Sequence, residues 1–223
     1  MVKLIKCHFY YLFNKINLSI LFVTIVIMLL FLFSNIISLD NRQSLSNKTI
    51  EYYYNSFQIM RIVVLFDALF IVGYAFLNDN DMYRMIIIDN KIKRSEYFIS
   101  KVITLLLIIT ILYLVIFFII LLLSVIFELY MESIMLKSFI DLYVSIIYYV
   151  FLMIFVILLV NNIFMIFVIY LLTLFTYQDE FSFLVYFLPI LDNNLLVLGY
   201  IYYFIIILIL GLFNIIIWNN LDL

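Results

Sequence analysis

Apolar residues along the chain gather into long runs and do not alternate with polar ones. The runs cover about 17–39, 59–77, 102–127, 142–160, 163–177 and 199–218. Most are close to the roughly 20 residues an α-helix needs to cross the hydrocarbon core of a bilayer, and the fifth is the shortest. Backbone N–H and C=O groups in lipid must be paired within the segment, so the runs predict six transmembrane helices. Asn161 and Asn162 are all that separates the fourth run from the fifth, and they read as a tight turn. The apolar stretch 181–191 is shorter and contains Pro189. It predicts a short re-entrant or outer helical segment before the sixth span.

The first sixteen residues follow a different pattern. Ile5, Phe9, Leu12, Phe13 and Ile16 recur at helical spacing, with Lys3, Lys6, Tyr10 and Asn14 on the other side. This predicts an interfacial amphipathic helix lying in the membrane surface. The run that follows exceeds the about 7 to 15 apolar residues of a signal peptide and lacks a small-residue cleavage site, so it is read as a retained first span.

Composition removes whole classes of protein. Of 223 residues, 69% are hydrophobic and 12% charged, against about 45–50% and about 25% in soluble domains. A water-soluble globule is excluded. Six spans consume roughly 120 residues, and the remainder is too little for a separate domain of ordinary size. The expected organisation is an all-α integral membrane protein with a single transmembrane domain over 1–223. With 3 Gly and 1 Pro, long uninterrupted helices are expected, unlike the broken helices of many secondary transporters.

Charge sets the orientation. With the N-terminus inside, the inner segments hold Lys3, Lys6, Lys15, Arg84, Lys91, Lys93, Arg94 and Lys101, whereas the outer ones hold Arg42, Lys48, Arg61 and Lys137. The positive-inside rule then puts both termini and the loop 78–101 in the cytoplasm of a cell-membrane protein.

Candidate chemistry is sparse. Cys7 and His8 are the only cysteine and histidine, short of the three or four ligands of a zinc site. No second acid stands near Asp67, so no catalytic pair is evident within the membrane and the chain is not expected to be an enzyme. Asp67 lies about ten residues, roughly 15 Å, from the inner end of the second span, near mid-depth. An acid there is a candidate for the substrate pathway; the alternative is a structural side chain bonded to a neighbouring Thr, Ser or Tyr. Arg61 is about 240° around the same helix and is expected to snorkel outward. Thr104, Thr110 and Asn214 are expected to join helices, and tyrosines at span ends, among them Tyr52, Tyr53, Tyr54 and Tyr200, to form an interfacial belt.

The loop after the second span is the most informative soluble stretch. Asn78 or Asn80 can cap a short helix whose first turn carries Asp79 and Asp81, as the helix dipole favours. Met82, Met85, Ile86 and Asp89 then share a face, and Lys91, Lys93 and Arg94 follow as a basic cluster. Alternatively it is a solvated loop whose cations enforce topology and meet anionic lipid. Here the sequence resembles the ABC-2 family of permeases, the transmembrane subunits of type-2 ATP-binding-cassette exporters. Asp79 and Asp81 stand where that family tends to have Glu, Met85 to Ile88 match its Leu-rich turn, and Arg94 with Lys101 match its Arg and Lys positions. Tyr83 and Arg84 replace its frequent Gly-Thr, and Lys91 its Pro.

The resemblance implies a coupling helix around Asp81 to Ile88 that docks on a separate cytoplasmic ATPase subunit. ATP and Mg would be held on that partner, with no cofactor in this chain, and the working unit would contain a second permease copy or a related permease. The residue types favour an amphipathic or apolar cargo, such as a membrane-active peptide or a lipid-like or drug-like molecule, because the spans offer little to replace the hydration of a polar solute. The alternatives are a non-transporting immunity or assembly protein in the membrane and a secondary transporter.

Overall fold

The structure, a computed structural model, describes residues 2–12, 15–39, 44–77, 92–130, 133–175 and 197–220. Among the described residues there are seven helices and no strands: α1 (Val2–Leu12), α2 (Lys15–Ser38), α3 (Leu45–Leu77), α4 (Arg94–Ile126), α5 (Ser133–Val160), α6 (Phe164–Phe175) and α7 (Val197–Asn220). Five of them, α2 to α5 and α7, are long and apolar enough to cross a bilayer. The chain is a multi-pass helical membrane protein. The described part of α6 has 12 residues, about 18 Å at the helical rise. The expected segment 181–191 lies outside the described residues.

Three helices begin well before the apolar runs that announced them. α3 starts at Leu45 instead of about 59, α4 at Arg94 instead of about 102, and α5 at Ser133 instead of about 142. The cause is packing. The polar-looking segment before residue 59 buries Thr49, Tyr52, Tyr53 and Ser56 against its neighbours, so the helix continues past the point where hydropathy falls. Tyr52 and Tyr53 therefore belong to the core, and only Tyr54 of the three is exposed.

α3 is the central helix, packed against α2, α4, α5 and α6, while α7 lies on α5 and α4. The core contains Met60, Val64, Ala68, Leu69 and Val72 of α3 with Ile109, Ile116, Tyr149 and Met153. Gly73 sets how closely α6 can approach: a Cβ there would meet Ile166 Cγ1 at 2.8 Å and Ile157 Cδ1 at 3.5 Å. The turn between α5 and α6 uses both asparagines. Asn161 takes φ 48°, a left-handed conformation that Asn tolerates better than most residues, and Asn162 Oδ1 accepts the Phe164 N–H at 2.9 Å.

Helices in lipid gain little from hydrophobic burial against one another, so close packing and hydrogen bonds hold them. Asn35 of α2 donates to Tyr52 O at 3.1 Å and accepts from Asn55 Nδ2 at 3.0 Å. Tyr52 Oη donates to Ile120 O at 2.9 Å, Asn214 Nδ2 to Phe151 O at 3.1 Å, and Thr110 pairs with Tyr143 at 2.6 Å. Thr104 departs from the expected role, since its hydroxyl bonds Ser100 O one turn back in its own helix.

The first helix also differs from its sequence pattern. Its buried residues are Leu4, His8 and Leu12, spaced four apart, and they face α4. Tyr10 and Val2 are exposed and Ile5 half-buried. His8 is part of that interface, not a surface residue.

Candidate functional site

Two regions stand out from the general packing. The first is a cleft between α2, α3 and α6, about halfway along the apolar part of α3, with a volume of about 520 Å³. Its walls include Val23, Thr24, Ile27, Ile62, Phe66 and Tyr170, and Asp67 lies in it. α3 carries Asp67 and Phe66 there, α2 supplies the opposite wall, and α6 closes one side through Tyr170. The Tyr170 ring meets Phe66 edge-on at 5.3 Å and its hydroxyl reaches Ile62 O at 3.4 Å.

Asp67 is fully buried, and neither carboxylate oxygen has a hydrogen-bond partner among the described residues. Thr24 is near enough to act on it, but the Thr24 hydroxyl proton is directed to Leu21 O at 2.9 Å. An acid at the centre of a membrane helix costs about 2.5–3.5 kcal/mol on insertion scales. Arg61 sits further along α3 toward Leu45, half-buried, with its Nε out of contact with water. Its charge acts on Tyr170 of α6.

The second region is the end of the bundle where α3 stops and α4 starts. Trp218, in the last turn of α7, stacks on Tyr97 with the ring planes 9° apart and centroids 6.2 Å apart. Phe98 and Phe76 lie 5.6 and 6.1 Å from the same indole. His8 meets Tyr97 edge-on at 4.7 Å, and its Nε2 is 3.1 Å from Ser100 Oγ. The Ser100 proton is already given to Tyr97 O at 2.7 Å, so His8 Nε2 is the donor in that pair. Lys101 is buried, donates to Ala75 O at 2.6 Å and lies 4.5 Å above the Phe76 ring. Ala75 belongs to the last turn of α3, where carbonyls lack intrahelical partners and a cation is favoured. Arg94 Nη1 donates to Asn219 O at 3.3 Å.

The two ends of the loop after α3 are therefore tied to one cluster that also contains α1 and α7. Of the coupling candidates, Arg94 joins this cluster. Asp79, Asp81, Met82, Met85 and Ile86 lie outside the described residues.

Asp141 is a third feature, which the hydropathy pattern does not mark. It stands just before the apolar run at 142–160, but α5 begins eight residues earlier, at Ser133. Asp141 is buried, accepts a hydrogen bond from Tyr200 of α7, and has Lys137 one turn away acting on it. The signal was the unbroken helical run on both sides of it. Among the described residues no three His, Cys, Asp or Glu side chains converge as a metal site would require.

No family model, no curated protein and no solved structure matches the chain.

Proposed function

We propose that this chain is the permease subunit of an ATP-driven ABC exporter that moves an amphipathic or apolar cargo outward. In this reading it has six spans and cytoplasmic N- and C-termini, works with a second permease copy or a related permease, and draws on a separate cytoplasmic ATPase for ATP hydrolysis. The observation that carries it is the cluster at the base of the loop after α3. Lys101, Arg94, Tyr97 and Trp218 bind the ends of α3, α4 and α7 into one unit, joined by α1 through His8. A push delivered to the loop would then move several helices together, which a loop serving only topology does not need. The apolar cleft beside Asp67 supports the second half of the reading, a membrane-embedded path for a molecule that itself partitions into lipid.

Inside-out vesicles from the native membrane test this directly. They are expected to accumulate an amphiphilic fluorescent dye when ATP is added and to stop when ATP is replaced by a non-hydrolysable analogue. Vesicles from a strain lacking the chain should not. Uptake that ignores ATP but collapses with the ion gradient would make the chain a secondary transporter. Identical uptake with and without the chain would assign it to an immunity or assembly role.

A further inference from the structure

We propose that the cleft between α2, α3 and α6 binds the cationic head of an amphiphile, with the positive group at Asp67 and the apolar body along Val23, Ile27, Ile62 and Phe66. The proposal builds on the exporter reading by naming its cargo class. The binding itself requires no ATPase.

Three observations carry it. Asp67 is fully buried, and both its oxygens lack a hydrogen-bond partner among the described residues. A carboxylate in such surroundings is stabilised by an opposite charge more strongly than one in water, because the low dielectric weakens screening. Asp67 also borders a cleft of about 520 Å³ with apolar walls, room for a bulky organic group and not only for an ion; its two oxygens are covered, so a wall side chain moves aside to admit the head. Finally, Val23 and Ile62 are exposed along the cleft, and Ile27 is partly so, which leaves it open sideways to lipid. A molecule already dissolved in the membrane could reach Asp67 without crossing water.

The same walls argue against other occupants. A sugar or nucleotide would lose its hydration and find few replacements among Thr24, Ser19 and Tyr170. An anionic amphiphile would place like charge beside Asp67. A small inorganic cation would retain no ligand shell, since among the described residues no second acid lines the cleft. Arg61 bears on the Tyr170 side, so a cation is favoured nearer Thr24.

The test uses the full chain, purified without nucleotide or ATPase and placed in neutral-lipid nanodiscs. Radiolabelled tetraphenylphosphonium is the probe and tetraphenylborate, of similar shape and opposite charge, the comparison; partition into empty nanodiscs is subtracted. The wild-type chain is expected to bind the cation saturably at one site and the anion not at all. Asp67→Asn should weaken cation binding at least tenfold, and Asp67→Glu should retain most of it. Ile27→Trp, which fills the cleft but keeps the carboxylate, should also abolish binding, and the fluorescence of Trp218 checks that the Asp67 variants remain folded. The proposal is overturned if the wild type shows no saturable cation binding, if Asp67→Asn binds as the wild type does, or if the anion binds equally well. Failure of the exporter reading is seen separately: vesicles without ATP-dependent uptake would remove that reading and leave the binding result standing.

Discussion

Trp218→Ala is expected to loosen the end of the bundle where α1, α3, α4 and α7 meet, and to lower the thermal stability of the detergent-solubilised protein by roughly 6–20 °C. Trp218 is almost fully buried and packs on Tyr97, Phe98 and Phe76, rings drawn from two other helices. Removing a large aromatic from such a contact costs about 3–5 kcal/mol through lost packing and the cavity left behind. In a chain of this size each kcal/mol corresponds to roughly 2–4 °C. The readout is built in. Cys7 is the only cysteine, half-buried on α1 next to His8, so a thiol-reactive fluorophore reports the temperature at which α1 leaves α4. Trp218→Phe should fall between the two, since it keeps a ring in the stack. A shift below about 2 °C for Trp218→Ala would mean that the cluster does not hold these helices together, and the mechanical part of the functional reading would lose its support.

A second large effect is expected in the loop after α3. On the exporter reading, the chain with Met85→Asp and Ile86→Asp combined should insert into the membrane normally but lose the proposed partner ATPase. If these residues meet an apolar groove on a partner, each new carboxylate must be stripped of water without an opposite charge, at a cost of several kcal/mol. Every 1.4 kcal/mol is tenfold in affinity, so retention should drop by about 100-fold or more. Met85→Leu, which keeps size and apolarity, should bind as the wild type does. Substituted protein that still retains its ATPase and transports normally would reduce the loop to a topology signal.

Much of the architecture was legible in the pattern of residues because lipid imposes a simple rule: a long apolar run is a helix. α2 and α7 lie close to their expected bounds, and the Asn161–Asn162 turn falls where the two asparagines stand. The rule speaks only of hydropathy, and it fails where burial depends on a neighbour. The start of α3 looks too polar to be buried, yet Tyr52 is held by Ile120 and Asn35. His8 reads as a surface residue because imidazole counts as polar, although Leu4, His8 and Leu12 form a regular stripe. Asp141 escapes a hydropathy reading because an acid at the edge of an apolar run looks like a loop residue.

For the candidate site the division is similar. The position of Asp67, a lone acid in an apolar run, was plain from the sequence. The cleft beside it was not, because it depends on how α6 lies against α3, which Gly73 and Ile166 set through their contact. Lys101 was visible as a charge entering the third predicted span, but its bond to Ala75 O requires α3 and α4 to be adjacent and antiparallel.

The central claim is that this chain works with a cassette ATPase, and co-purification is the most direct measurement of it. The tagged wild-type chain, extracted from native membranes in a mild detergent and captured under low-salt conditions, should bring down a stoichiometric ATPase subunit identifiable by mass spectrometry and by ATP hydrolysis in the eluate. Capture of the chain alone, with no ATPase even after chemical cross-linking in the intact membrane, would contradict the account.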